Sequence, residues 1–482
     1  MSESEDDSSS PVGATRALAE VLARTRYEHL PPAAIHHAQR SVLDWLGSAL
    51  GGSIEQPARL AQQVAARFGS SSDATVFSAG RASAPAAAFA NGVASHILEL
   101  DDIHKGSTVH AAAPIIPAAL AVAERERADG RAFLAAVTVG YEAAFRIGEA
   151  VNPSHYYFFH PTGTVGTFGA AAAAASVLRL SAAQMLDALG TAGTQAAGLW
   201  EFNADGAMSK HLHPGKAAMN GVLAADLAHV GFTGATRILE GERGFFRAMS
   251  KSFDATRVID GLGSRWTIGE NGYKLYSCCG HTHTAVDAAL EIRARRRWSP
   301  DDVLRDVNTI TIETYGPGYE IVKEMNPHTP YQAKFSLAYC VAAALLEGEL
   351  GLQQFSADRF GLDGVRDRAI ADLLRRVRVA VRDDLTAGYP AVWPVRLIIE
   401  TSSGPEHAAS DYPRGNAENP VSTEDLERKF SAVVGARFGT PTADATLDAL
   451  HSIEQCRDMR MLFSELGNLG PQERPVLSSV VP

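Results

Sequence analysis

Apolar residues recur at helical spacing through the first half of the chain. "TRALAEVLARTRY" carries such a stripe and ends near Pro31-Pro32. "AIHHAQRSVLDWLGSALGG" repeats it and stops at Gly51-Gly52, and "DGRAFLAAVTVGYEAAFRIGEAV" and "SAAQMLDALGTAGTQAAGLW" follow. "AAAFANGVASHILEL" predicts an apolar helix with Glu99, Asp101 and Asp102 at its C-terminal end. "HPGKAAMNGVLAADLAHVGF" predicts a helix that opens at Pro214-Gly215 and closes at a glycine. The uncharged run "PTGTVGTFGAAAAAASVL" (161–178) approaches the length of a membrane span. Its Ala, Gly and Thr supply little transfer energy, so it reads as a buried, closely packed helix.

The period changes near residue 300. "VNTITIETYG", "RRVRVAVRDD" and "WPVRLIIETSSG" are β-branched or alternating and predict three strands. "AKFSLAYCVAAALLEG" and "GVRDRAIADLLRRV" between them predict helices. "STEDLERKFSAVVGARFG" restarts a helix with Ser422 three residues before Asp425, a capping pattern. The fold class is therefore mainly α with an α+β second domain. The expected division is a tail at 1–11, a helical body at 12–272 to which 410–482 returns, and an α+β lid at 273–409.

Composition narrows the function. The 482 residues carry 55 acidic and 44 basic groups, for a net charge of −11. Such a chain is not built to coat nucleic acid or an anionic membrane, so no partner of either kind is expected. An anionic substrate would need local positive charge. The N-terminus, "MSESEDDSSSP", lacks the basic and apolar regions of a secretion signal and reads as a disordered tail. Four cysteines, two of them adjacent, form no disulfide framework, and a reducing cytoplasm is the expected location.

Sixteen histidines are present, and nine fall in four patches: His96/His104/His110, His155/His160, His211/His213 and His281/His283. Scattered structural histidines do not usually group so. In "HILELDDIHKGSTVHAAAP", Glu99, Asp101, Asp102, His104 and His110 stand at the mouth of an apolar helix. Three carboxylates at a helix C-terminus oppose its dipole, and a histidine at a buried mouth suits general acid–base work. The alternative is a solvated turn with a capping histidine. In "SKHLHPGKAAMNG", Lys210, His211 and His213 precede the predicted helix start, where free N–H groups would favour a carboxylate. The alternative is a basic surface loop. His160 follows aromatics, and Lys274 and Tyr276 precede His281 and His283 at the domain junction. The Asp/His patch and "CCGHTH" raise divalent-ion binding, but the ligand spacing is cramped and no metal site is expected. No phosphate-binding loop and no G-x-S-x-G elbow occurs. Acid–base chemistry without a cofactor is what remains.

In this order, "HILELDDIHKGSTVHAAAPIIPAALA", "FHPTGTVGTFGAAAAAA", "SKHLHPGKAAMNGVLAADLA", "KLYSCCGHTHTAVDAAL" and "NPHTPYQAKFSLAYCVAAAL" resemble the MmgE/PrpD family over roughly residues 35–435. That family includes 2-methylcitrate dehydratase, cis-aconitate decarboxylase and iminodisuccinate epimerase. The resemblance implies a helical domain with a smaller α+β lid, a homodimer, no metal or organic cofactor, and a site between the domains. It places Glu99, Asp101, Asp102, His110, His160, Lys210 and His283 on the family's motif positions. With His104, His213 and Lys274 added from the patches above, the expected catalytic set is His110, His160, Asp101, Asp102 and Lys210, and Glu99, His104, His213, Lys274 and His283 are expected to bind a small di- or tricarboxylate. The expected function is a lyase of the dehydratase type that moves a proton at a carbon next to a carboxylate. A decarboxylase or epimerase is the nearest alternative, and a metal-dependent hydrolase or a non-catalytic carboxylate-binding protein is the alternative from another class. Two places depart from the family pattern. Ile103 stands where the decarboxylases have a hydroxyl, and Ala111-Ala112 follow the motif histidine.

Overall fold

The computed structural model describes residues 13–69 and 71–471. The acidic tail expected at 1–11 lies outside them. The helical periodicity translates into helices at Ala14–Arg24, Pro32–Ser53, Gly130–Val151, Pro161–Val177 and Ala182–Gly193. Ser422 and Asp425 form the expected capping box at the start of Thr423–Phe438. Among the described residues no helix is long and apolar enough to cross a membrane.

Helix Pro161–Val177 is buried along nearly its whole length. It packs against Gly130–Val151, Ala112–Glu126 and Ser209–His229. Small residues make this possible. A Cβ on Gly169 would stand 2.9 Å from the Gly140 carbonyl oxygen, and one on Gly92 would stand 2.8 Å from Gly215 Cα. The second crossing sets backbone against backbone between Ala84–Ser95 and Ser209–His229. With larger residues neither pair of helices could approach so closely.

Two predicted boundaries are wrong. Helix Ala84–Ser95 ends before the acidic residues, with His96 as its C-cap. Glu99 then takes a left-handed backbone at φ 57° and turns the chain back. The three acids therefore lie in a folded turn rather than on the helix end. The helix expected to open at Pro214 begins at Ser209, so Lys210, His211 and His213 are inside it. They are also buried, which removes both the exposed anion corner and the basic-loop alternative. Proline is tolerated because it is only the sixth residue, where its missing N–H forfeits a single early bond. Pro117 occupies the same sixth position in Ala112–Glu126.

The sheet has four strands in the order Val377–Val381, Val307–Thr314, Val395–Thr401, Gly404–Ser410. The first pair is parallel and the other two are antiparallel. The fourth strand was not expected. It is an edge strand, buried only at Ala408, and its Gly, Pro and polar residues give no apolar alternation. Helices His283–Arg296 and Leu337–Glu347 cover the Ile310, Ile312, Leu397 and Ile399 face. Each such side chain contributes about 1.5–3 kcal/mol by leaving water.

One apolar core runs from Ala14 to Tyr273 and resumes from Val421 to Leu466. A second spans Tyr276 to Ala408. Between them Ile103 packs with Tyr315, Leu385 and Trp393. Its backbone exchanges hydrogen bonds with Gly272, at 2.9 and 3.0 Å.

Candidate active site

The segment from His96 to His110 joins two buried helices, and its polar groups are fixed from several sides. Asp102 caps the second helix. Its carboxylate accepts from Ala112 N at 3.0 Å, Tyr141 Oη at 2.6 Å and Asn271 Nδ2 at 2.9 Å. Burial pushes this carboxyl up to about 7, with the Tyr141 hydrogen bond opposing and the Asp101 charge adding. The Asp102 carbonyl accepts from His110 Nδ1 at 2.6 Å.

Glu99 points the other way and pairs with two ammonium groups, Lys210 and Lys274. Burial works against its ionisation, but the two lysines outweigh burial and hold it well below the usual carboxylate range. Asp101 Oδ2 lies 2.6 Å from His96 Nδ1 and 3.5 Å from His110 Nδ1, and Oδ1 lies 3.8 Å from Lys274 Nζ. There too burial opposes the charge, and His96 and Lys274 prevail. Lys334 donates to the Leu98 carbonyl at 2.9 Å, and burial brings its ammonium down to about 8. Asp102 apart, three ammonium groups thus face two ionised carboxylates, and an added carboxylate would find a receptive field.

Imidazoles form the remaining wall. The His96 ring lies 4.9 Å from His110, 5.4 Å from His160 and 6.4 Å from His211, between centroids. His160 Nδ1 meets His213 Nδ1 at 3.1 Å, and Trp200 and Phe202 pack on the same ring. Burial keeps His110 and His160 well below the ordinary histidine range, and brings His211 to about 3 and His213 to about 4. Burial thus leaves these rings neutral near pH 7, each with one nitrogen to donate and one to accept. His96 Nε2, His160 Nε2, His211 Nδ1 and Asp101 Oδ1 are buried without a hydrogen-bond partner. Unfilled polar capacity at this density is what a polar ligand can satisfy.

Of the residues singled out from sequence, the structure brings together Glu99, Asp101, His110, His160, Lys210, His213 and Lys274. It directs three elsewhere. The Asp102 carboxylate serves the helix cap. His104 bonds Ser107 Oγ at 2.9 Å, stacks on Phe145 and lies 3.7 Å from Glu149. His283 turns to the Cys278 carbonyl at 3.3 Å and packs on Tyr276. The "CCGHTH" residues do not converge, because His281 bonds Tyr315 Oη at 2.6 Å instead. The four cysteines are free. Lys334 and Trp200 belong to the cluster and were missed; His96 and His211 belong to it too, and were named in the histidine patches without a catalytic or binding assignment. For His96 the available signal was its place five residues before Asp101, within reach once the helix ends between them. A surface depression lined by Thr256, Ile259, Asp260 and Arg265 contains none of these side chains.

The MmgE/PrpD N-terminal domain matches residues 16–258, and the MmgE/PrpD C-terminal domain matches residues 276–455. The chain belongs to the MmgE/PrpD family and is an enzyme of its lyase type. Cis-aconitate decarboxylase of Homo sapiens is 27% identical over 95% of this chain and 95% of its own. Cis-aconitate decarboxylase of Aspergillus terreus is 27% identical over 97% and 98%, and that of Mus musculus 28% over 93% and 92%.

Proposed function

We propose that this enzyme removes carbon dioxide from a small unsaturated tricarboxylate, cis-aconitate or a close analogue, without a cofactor. The observation that carries the reading is the buried group of Lys210, Lys274 and Lys334 against Glu99 and Asp101, walled by neutral imidazoles. The names of the relatives support the substrate class. The ammonium groups receive the substrate carboxylates and offset the charge that develops as the C–C bond breaks. The electron pair stays on the neighbouring carbon, carbon dioxide leaves, and that carbon takes up a proton. His110, held on the Asp102 carbonyl and beside Asp101, moves the proton, with the His160 ring 6.1 Å from it. His96 carries the Asp101 contact and positions it. Residues 273–409 act as the lid over a body of 12–272 and 410–482, and the working unit is a homodimer in the cytoplasm.

Dehydration of a hydroxy-tricarboxylate, the sequence expectation, is the second reading. It shares the carbanion-like step. Ile103 favours it, since an apolar side chain stands where the decarboxylases have a hydroxyl and packs on Tyr315 and Trp393.

Proton NMR of cis-aconitate incubated with the enzyme in deuterium oxide tests both. The expected result is a product one carboxylate shorter with one carbon-bound deuteron. Recovery of unaltered cis-aconitate refutes the substrate. Unchanged turnover in both His110→Ala and His160→Ala refutes the site.

A further inference from the structure

We infer that His96, His110 and His160 form a binding site for one divalent ion of the zinc(II) or cobalt(II) class, whose occupation shuts the enzyme off. One ring nitrogen of each lies within 4.8 Å of the other two. Every ring is anchored through Nδ1: His96 on the Asp101 carboxylate at 2.6 Å, His110 on the Asp102 carbonyl at 2.6 Å, His160 on His213 at 3.1 Å. A ring that gives its Nδ1 hydrogen to such an acceptor keeps its lone pair on Nε2, the arrangement that orients metal-binding histidines in general. Nε2 of His96 and of His160 are buried and unpartnered. The three rings therefore present a ligand set with its outer anchors already made.

The surrounding charge decides which ion fits. Lys210, Lys274 and Lys334 outnumber the ionised Glu99 and Asp101, so an ion here is held by imidazole lone pairs against a local excess of positive charge, not by net negative charge. Magnesium and calcium, which seek oxygen, are not held, whereas ions that accept imidazole are. Metal–nitrogen bonds of 2.0–2.1 Å set tetrahedral ligands about 3.3 Å apart, so the rings close inward on the ion. A second group, His104, Glu149 and Glu270, is equally compact. Both of its carboxylates are engaged by Arg265, at 3.4 and 2.8 Å, which makes it an ion-pair network. Inhibition rests on the proposed role of His110, because a ligated ring cannot move a proton; binding does not.

Titration of the chelator-treated protein with cobalt(II), read by visible absorption and calorimetry, is the test. One ion per chain is expected, with an intense tetrahedral band that zinc displaces and excess magnesium does not. Asp101→Asn keeps all three ligands and weakens binding about tenfold to hundredfold. His96→Asn and His160→Asn lose the band, with native folding checked by circular dichroism, and His104→Asn retains it. Absence of saturable binding, survival of the band in both ligand variants, or its loss in His104→Asn overturns the site. Zinc should stop cis-aconitate turnover and EDTA restore it; full turnover with the ion bound overturns the inhibition. A protein that binds cobalt yet never turns over cis-aconitate refutes the functional reading and leaves the ion site standing.

Discussion

His104 and His110 lie six residues apart in one loop and live in different chemistry. His104 is stacked on Phe145 and faced by Glu149 and Glu270, which in turn hold Arg265. Every partner there is a protein group. His110 is anchored at Nδ1 and stands among rings and an aspartate whose outer atoms have no partner. Both histidines belong to the same motif, so residue type does not separate them. What separates them is how much polar capacity the fold leaves over: Glu149 Oε2 alone beside His104, against His96 Nε2, His160 Nε2 and Asp101 Oδ1 beside His110.

The sharpest way to break this contrast is to remove each ring in turn. His110→Ala or His160→Ala should lower kcat about 10²–10⁴-fold, the range for a positioned proton carrier, with little change in melting temperature. His104→Ala should do the reverse, costing about 1–3 kcal/mol of stability by leaving the buried Glu149 carboxylate short of a partner while turnover of the folded fraction persists. Equal kinetic losses from both would erase the distinction. Chemical denaturation with parallel assays reads the two quantities separately.

Next in size is Glu99→Ala. It leaves Lys210 buried without its counter-charge and Lys274 with Asp101 alone, and should cost about 3–5 kcal/mol in urea unfolding. Exogenous citrate-like acid should recover part of that loss if the emptied space accepts a carboxylate. Lys334 gives a smaller, pH-dependent effect. Its burial brings it to about 8, so it is a cation below that pH and neutral above. Affinity for an anionic substrate should therefore fall as pH rises through about 8, while the pairing of Lys274 with Glu99 persists. In Lys334→Met the alkaline limb should vanish, with KM raised below about pH 8 and converging on the native value above it. The mildest change is Ile103→Thr, which places a hydroxyl among Tyr315, Leu385 and Trp393. It should cost about 1–3 kcal/mol and alter turnover least, as measured by melting and product assay.

Much of this was legible in the sequence. The uncharged run at 161–178 was recognisable as a core helix because small residues at that density fit close packing and little else. The acid- and histidine-rich loop supplied Glu99, Asp101 and His110, and the other patches supplied His160, Lys210, His213 and Lys274. The role of His96 was not legible because it sits within an apolar pattern that looks continuous through Leu100, and nothing local announces that the helix stops at Ser95. The start at Ser209 was hidden for a related reason. Pro214-Gly215 has the composition of a helix opening, and only tertiary packing shows that the chain was already helical. The strand Gly404–Ser410 exists because Val395–Thr401 offers it a partner, a pairing that no local alternation reveals.

The crossing of Gly92 against Gly215 sets how far His96 stands from Lys210, since each lies only a few residues beyond its glycine. Alignment of the reacting groups is thus recorded in a contact that contains no functional group at all. Adding a single methyl at Gly92 would act as a spacer, prising the cation from the imidazoles while leaving every polar side chain in the sequence intact. Engineering this enzyme towards a bulkier acid can therefore begin at that seam, where one carbon atom resets the spacing between the helices that carry His96 and Lys210.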